Sequence, residues 1–122
     1  MHILLVEDDR INSIAGAGVL KKLGHRVSTA RNGLEAIESA RTTQFDLILM
    51  DIQMPIMDGL QAAQHIRSST DLACPPDIPI VALTAHAMRG EKDVFLQAGL
   101  DAYVSKPLHP KELERVITSF MQ

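Results

Sequence analysis

Five short runs of mainly aliphatic residues recur along the chain, and longer stretches with a different periodicity separate them. Each run has the usual length of a β-strand. Ile, Leu and Val follow one another with few polar interruptions, a pattern typical of strands in a parallel sheet that is buried on both faces. The predicted strands are HILLV (2–6), RVSTA (26–30), DLILM (46–50), IPIVALT (78–84) and AYVS (102–105).

The stretches between these runs carry apolar residues three or four positions apart, which predicts amphipathic helices. The first helical pattern starts near Ile11 and stops at Gly24, and the last begins with Pro110, a residue favoured in the first turn of a helix. Strand and helix therefore alternate five times, which predicts a single α/β domain over residues 1–122 with right-handed crossovers. The remaining predicted helices cover 34–41, 58–69 and 88–99, and the last extends over 110–121.

The stretch STDLACPPDIP (69–79) interrupts this alternation with three prolines. Proline cannot donate a backbone hydrogen bond, so we predict an irregular surface loop here. Cys74 lies in this loop and is expected to be an incidental thiol. It is the only cysteine of the chain, which excludes an internal disulfide and fits a reducing, cytoplasmic compartment.

Composition narrows the functional classes. The chain has 122 residues, of which 46% are apolar, and a net charge of −3. A chain of this size can bury a core without a structural metal. The sequence contains no apolar run long enough to predict a membrane-spanning segment, and no basic cluster that would predict direct binding to nucleic acid.

Carboxylates collect where the predicted strands end. Glu7, Asp8 and Asp9 follow the first strand, and Asp51 follows the third. In a parallel sheet these ends meet at one edge, which is where α/β proteins bind ligands. Thr84 ends the fourth strand, and Ser105, Lys106 and Pro107 end the fifth.

This set of side chains predicts a metal-assisted phosphoryl chemistry. Clustered carboxylates repel one another unless a cation binds between them, and hard oxygen ligands favour Mg²⁺. A carboxylate beside the metal can attack a phosphoryl group, while Lys106 neutralises the phosphoryl oxygens and the Thr84 hydroxyl bonds one of them. Each residue alone has a structural explanation, and Asp9 is predicted to be the N-cap of the first helix.

Four motifs of the chain resemble the receiver domains of two-component response regulators, in the family's order and spacing. The motifs are VEDD (6–9), LMDIQMPIMDG (49–59), VALTA (81–85) and GLDAYVSKPL (99–108). The resemblance covers nearly the whole chain. It implies a flavodoxin-like (βα)₅ fold with a doubly wound parallel sheet of strand order 2-1-3-4-5.

The resemblance also implies roles for individual residues. Asp51 would be the phosphoacceptor, and Lys106 would pair with the phosphoryl group. The metal, Mg²⁺ with Mn²⁺ as a substitute, would be bound by Asp51, by the acidic pair Glu7 and Asp8, and by the backbone carbonyl of Gln53. Asp9 then falls outside the acidic pair.

A conformational switch is implied as well. In the family, Thr84 would move toward the phosphoryl group and Tyr103 would turn inward, which changes the surface around the fifth strand. The resemblance further implies a small residue at Ala85 and a cis peptide bond between Lys106 and Pro107. It leaves open a homodimer that forms on phosphorylation.

The motifs are most similar to receivers attached to hybrid histidine kinases. Such receivers exchange phosphoryl groups with a histidine kinase or a histidine phosphotransfer domain, and would lie at the cytoplasmic face of the inner membrane. The domain would assist its own phosphorylation and dephosphorylation without turning over a diffusible substrate. A stand-alone response regulator is the alternative.

Two other classes fit the sequence less well. An Asp-based phosphohydrolase needs a second Asp two positions after its nucleophile, and Gln53 occupies that position. A pseudo-receiver, which binds partners without being phosphorylated, normally lacks the phosphoacceptor or the lysine. Here Asp51 and Lys106 are both present.

Overall fold

The computed structural model describes residues 1–52, 59–84, 95–106 and 108–121. Its five strands form one parallel sheet in the order β2-β1-β3-β4-β5. The predicted fold class and strand order are therefore confirmed. The strands are β1 (His2–Val6), β2 (Arg26–Ala30), β3 (Leu47–Asp51), β4 (Ile80–Thr84) and β5 (Ala102–Ser105).

Four helices have both ends within the described residues: α1 (Arg10–Lys22), α2 (Gly33–Thr42), α3 (Gly59–Ser68) and α4 (Pro110–Ser119). Most of the helix predicted over 88–99 lies outside the described residues, but 95–97 are helical and lead into a turn. Asp9 is the N-cap of α1, as predicted, because its side chain accepts a hydrogen bond from the Asn12 N–H at 3.0 Å. No described helix has the length and apolar character that crossing a bilayer requires.

Apolar residues pack on both faces of the sheet because successive strand side chains point in opposite directions. Leu4, Ile48 and Met50 belong to the cluster that packs with α2 and α3. Leu5 and Leu49 belong to the opposite cluster, with residues of α1 and α4. The sheet is thus enclosed on both sides, and its carboxyl edge is the place where polar side chains can gather.

The predicted surface loop is irregular, but the prediction for Cys74 is wrong. Its side chain is buried, with 2% of the residue exposed. The sulfur accepts a hydrogen bond from the Phe45 N–H and donates one to the Thr43 carbonyl, both at 3.2 Å. The thiol therefore fastens the 69–79 loop to the segment that joins α2 to β3.

Candidate functional site

The register of the sheet brings the predicted site residues to one edge. Val6 pairs with Met50, so Glu7 emerges beside Asp51, the last residue of β3. Asp51 pairs with Leu83, and Thr84 ends the adjoining strand. Lys106 follows β5, and its N–H donates to the Thr84 carbonyl at 2.8 Å. Residues from four strands therefore meet as the sequence predicts.

Lys106 connects two of the buried carboxylates. Its Nζ lies 2.7 Å from Glu7 Oε2 and 2.9 Å from Asp51 Oδ2. The side chains of Glu7 and Asp51 are only 3% and 5% exposed, so these are shielded, charge-assisted hydrogen bonds. The pairing of Lys106 with Asp51 follows from their predicted proximity. The pairing with Glu7 was not predicted, because nothing in the sequence shows that a side chain from β5 reaches across to β1.

Three acidic residues lie close enough to share a cation. Glu7, Asp8 and Asp51 each place a carboxylate oxygen within 4.8 Å of the other two. The Lys106 ammonium balances one of the three charges, which leaves a net charge of minus two for a divalent ion to neutralise. Carboxylate oxygens are the ligands that Mg²⁺ prefers. The residues present therefore fit a magnesium site.

Burial and neighbouring charged groups shift the pKa values of Glu7 and Lys106. Burial raises the pKa of Glu7 above its ordinary value, and the nearby charge of Asp51 adds to the effect, although the hydrogen bond from Lys106 opposes it. The pKa of Lys106 is also raised. Burial alone would lower it, but its hydrogen bonds to Glu7 and Asp51 outweigh burial. Lys106 is therefore charged at neutral pH and serves as a fixed positive group beside Asp51.

The two residues of the predicted switch lie on neighbouring strands. Thr84 is buried at the carboxyl end of β4, where 4% of the residue is exposed. Tyr103 lies on β5 and is 38% exposed, with its ring 6.2 Å from that of Phe95. Tyr103 is thus a partly exposed aromatic residue on an edge strand. Gln53, Ala85 and Pro107, for which the family resemblance also implies roles, lie outside the described residues.

An apolar surface adjoins the acidic residues. Ile11 and Ile14, near the start of α1, are 78% and 64% exposed. A groove between the start of this helix and the end of β2 is lined by Glu7, Asp8 and Ile14 and also by the charged residues Arg10 and Arg31. Isolated exposed isoleucines are common on protein surfaces, and these two make the surface of α1 near the acidic residues partly apolar.

Comparison with known proteins gives a consistent result. The family model of the response regulator receiver domain matches residues 3–118. The sensor histidine kinase GacS of Pseudomonas protegens is 40% identical over 116 residues, which cover 95% of this chain and 13% of GacS. The chain thus spans only a small part of that relative. The polar-differentiation response regulator DivK of Brucella anthropi is 35% identical, and the match covers 98% of this chain and 94% of DivK.

A solved structure resembles the whole domain. It is the receiver domain of the sensor histidine kinase PA1611 from Pseudomonas aeruginosa, which is 38% identical to this chain and superposes with a TM-score of 0.87. The match covers 98% of this chain and 96% of that one, and a magnesium ion is coordinated in the active site cleft of that protein.

Proposed function

Because the chain belongs to the family of response regulator receiver domains, we propose that Asp51 accepts a phosphoryl group from a phosphohistidine in a Mg²⁺-dependent reaction. The observation that carries the proposal is the buried Asp51 carboxylate, which lies 2.9 Å from the Lys106 ammonium and beside Glu7 and Asp8. A carboxylate with these neighbours is an acceptable nucleophile toward phosphorus, because the charge that would repel the incoming phosphoryl group is already partly balanced.

The transfer is a substitution at phosphorus. An Asp51 carboxylate oxygen forms the new O–P bond, and the P–N bond to the donor imidazole breaks with its electron pair going to nitrogen. Lys106 lies within reach of the Asp51 carboxylate and would pair with a phosphoryl oxygen, so it holds positive charge where negative charge arrives. The Thr84 hydroxyl, at the end of the neighbouring strand, would donate a hydrogen bond to another phosphoryl oxygen.

The side chains of Glu7, Asp8 and Asp51 would hold the metal, together with the Gln53 carbonyl that the family resemblance implies. Mg²⁺, when bound, supplies positive charge to the phosphoryl oxygens, and Mn²⁺ would substitute for it. The magnesium ion reported for the receiver domain of PA1611 supports the same metal here.

Phosphorylation would then change the surface near β5. In this proposal Thr84 moves toward the phosphoryl group, and Tyr103 turns into the space that Thr84 leaves. The positions of the two residues on adjacent strands support the coupling. Measuring the mass of the protein in solution before and after phosphorylation tests whether the altered surface also pairs two copies of the chain.

The parent protein in this proposal is a hybrid sensor histidine kinase, with this domain at the cytoplasmic face of the inner membrane. The 40% identity with GacS supports that origin. The donor would be a histidine kinase or histidine phosphotransfer domain that docks over Ile11 and Ile14, which are exposed on the helix that follows the acidic residues Glu7 and Asp8. The match to nearly all of DivK favours a stand-alone response regulator as the second candidate.

Intact-mass spectrometry tests the proposal. The protein is incubated with Mg²⁺ and phosphoramidate, or with a phosphorylated histidine phosphotransfer domain. We expect a base-labile gain of one phosphoryl group that is absent in Asp51→Asn and retained in Asp71→Asn, a control at an exposed carboxylate. A gain that persists in Asp51→Asn would contradict the assignment of Asp51. No gain with either donor would favour a pseudo-receiver.

A further inference from the structure

Gly59, the first residue of α3, packs directly against the end of β3. A Cβ atom built on Gly59 would lie 2.5 Å from the Asp51 carbonyl oxygen and 2.8 Å from the Ile52 Cα. It would also lie 3.0 Å from Met50 Cγ. The first two distances are shorter than real Cβ contacts, and both involve backbone atoms. A side chain at position 59 therefore requires either the end of β3 or the start of α3 to move.

The requirement at Gly59 is steric and does not arise from its backbone conformation. The positive φ angles recorded among the described glycines are at Gly24 and Gly99. A Cβ on Gly99 would meet the Arg67 side chain, and one on Gly16 would meet leucine methyl groups, so side chains could give way at those positions. At Gly59 the obstacle is the peptide of the residue that carries the reactive carboxylate.

We propose that Gly59 is a positioning residue for Asp51. Its lack of a side chain lets α3 begin in contact with the end of β3, and its N–H donates to the Ile52 carbonyl at 3.3 Å. This contact fixes the Asp51 peptide and hence the place from which the carboxylate meets Lys106 at 2.9 Å. The inference rests on the proposed function, in which Asp51 is the phosphoacceptor.

In this proposal, alanine at position 59 displaces the Asp51 peptide by up to about 1 Å, because the added Cβ and the backbone it meets must return to ordinary contact distances. A displacement of this size at a reacting group lowers a rate by up to about 100-fold. We therefore expect phosphorylation to be about 10- to 100-fold slower in a Gly59→Ala protein that is still folded.

The experiment compares Gly59→Ala with Gly18→Ala, a matched control on α1 where the added Cβ meets nothing within 4 Å. Phosphorylation rate constants are measured with phosphoramidate at saturating Mg²⁺, and folding is followed by urea denaturation. A crystal structure of each metal-free variant gives the Asp51 position independently of any activity. We expect Gly59→Ala to be slow and its Asp51 to be displaced from Lys106, with neither change in Gly18→Ala.

Unchanged rates in a folded Gly59→Ala protein, or an unmoved Asp51, would overturn the inference. If Gly59→Ala folds poorly, the comparison is made in sucrose, which favours the compact state. A chain that stays unfolded there would also overturn it, because the glycine would then serve the fold as a whole. If the wild-type protein gains no phosphoryl group from any donor, the proposed function fails, while the crystal structures still decide whether Gly59 positions Asp51.

Discussion

Among the residues that the structure describes, Lys106 is the one whose charge balances the buried carboxylates of the site. Its ammonium bonds both Glu7 and Asp51, although the three residues come from the ends of three different strands. Burying two carboxylates without a cation would be costly, so the lysine stabilises the metal-free fold as well as preparing the site for a phosphoryl group. The two roles can be separated by experiment.

Lys106→Met should lower the free energy of unfolding of the metal-free protein by about 1–3 kcal/mol, because Glu7 and Asp51 lose their shared donor. The same change leaves the acidic cluster more negative, so Mg²⁺ should bind at least as tightly while phosphorylation becomes slower. Urea denaturation, Mg²⁺ titration and phosphorylation rates measure the three effects. Lys111→Met, at an exposed position on α4, is the control, and weaker Mg²⁺ binding by Lys106→Met would contradict the charge count.

Asp8→Asn should have the opposite effect on the metal. Asp8 is the exposed member of the acidic cluster, and its loss should weaken Mg²⁺ affinity at least about tenfold. The metal-free protein should not be destabilised, because the change removes repulsion among the carboxylates. Asp9→Asn is the control in calorimetric titrations, since asparagine caps a helix as well as aspartate. Equal losses of affinity in the two variants would show that Asp8 has no special place at the metal.

The site residues could be predicted from sequence because the ends of parallel strands meet at one edge. Asp51, Thr84 and Lys106 needed no more than that rule and the positions of the strands. The contact between Lys106 and Glu7 depends on the reach of one side chain across the sheet. The steric role of Gly59 depends on how closely the start of α3 approaches the end of β3, and a sequence pattern contains no such distance.

Among the elements, α3 is attached to the sheet by Arg67 at the edge opposite the site. The Arg67 guanidinium donates to the carbonyls of Pro76, Ile78 and Gly99 at 2.7, 2.6 and 2.9 Å. It also pairs with Asp101, whose carboxylate accepts a further hydrogen bond from the Ile80 N–H. One side chain therefore joins α3 to the segments that lead into β4 and β5.

Arg67→Met should cost at least about 2 kcal/mol in the free energy of unfolding, because three carbonyls and a carboxylate lose a charged donor while the apolar stem is kept. Urea denaturation measures the loss. Arg41→Met is the matched control. Arg41 is 42% exposed and pairs with Glu38 and Asp71 at the surface, where such pairs contribute about 0–1 kcal/mol. Similar losses in both variants would show that Arg67 is an ordinary surface arginine.

The predicted ends of a strand agree with the observed ends where the run of apolar residues and the paired residues of the strand cover the same positions. The predicted ranges for β1, β2 and β5 are confirmed. The prediction for β4 began at Ile78, which is buried, but this residue lies in the preceding loop and its N–H bonds the Pro75 carbonyl. The prediction for β3 ended before Asp51, which pairs with Leu83. A run of apolar residues predicts which positions are buried, whereas the ends of a strand are set by its hydrogen bonds with the neighbouring strands.

For the molecule as a whole, folding and chemistry are separated in space. Apolar clusters on both faces of the sheet stabilise the domain, and the polar residues of the site occupy its carboxyl edge. The opposite edge carries His2, whose ring lies 2.8 Å from Ser28 Oγ and stands edge-on to Phe45. This histidine should make the stability of the domain depend on pH.

The pKa of His2 is lowered from 6.5 by burial and then by the charge of Arg26, although Asp46 opposes the shift. As pH falls through about 6.5, His2 therefore takes up a proton in the unfolded chain before it does so in the folded chain, so it reduces the free energy of unfolding over that range. Urea denaturation at about pH 7.5 and about pH 5.5 should show a smaller decrease for His2→Gln than for the wild type. Equal decreases would contradict this contribution.

The buried thiol of Cys74 has a consequence for how the domain can be studied. Burial raises the pKa of this thiol, and both of its hydrogen-bond partners lie in another segment of the backbone. A thiol in this setting reacts with a labelling reagent only when the 69–79 loop detaches, since a reactive thiolate needs solvent. The labelling rate of Cys74 therefore measures how often the 69–79 loop opens locally. Comparing this rate before and after phosphorylation would show whether a change at the carboxyl edge of the sheet alters the opening of the loop.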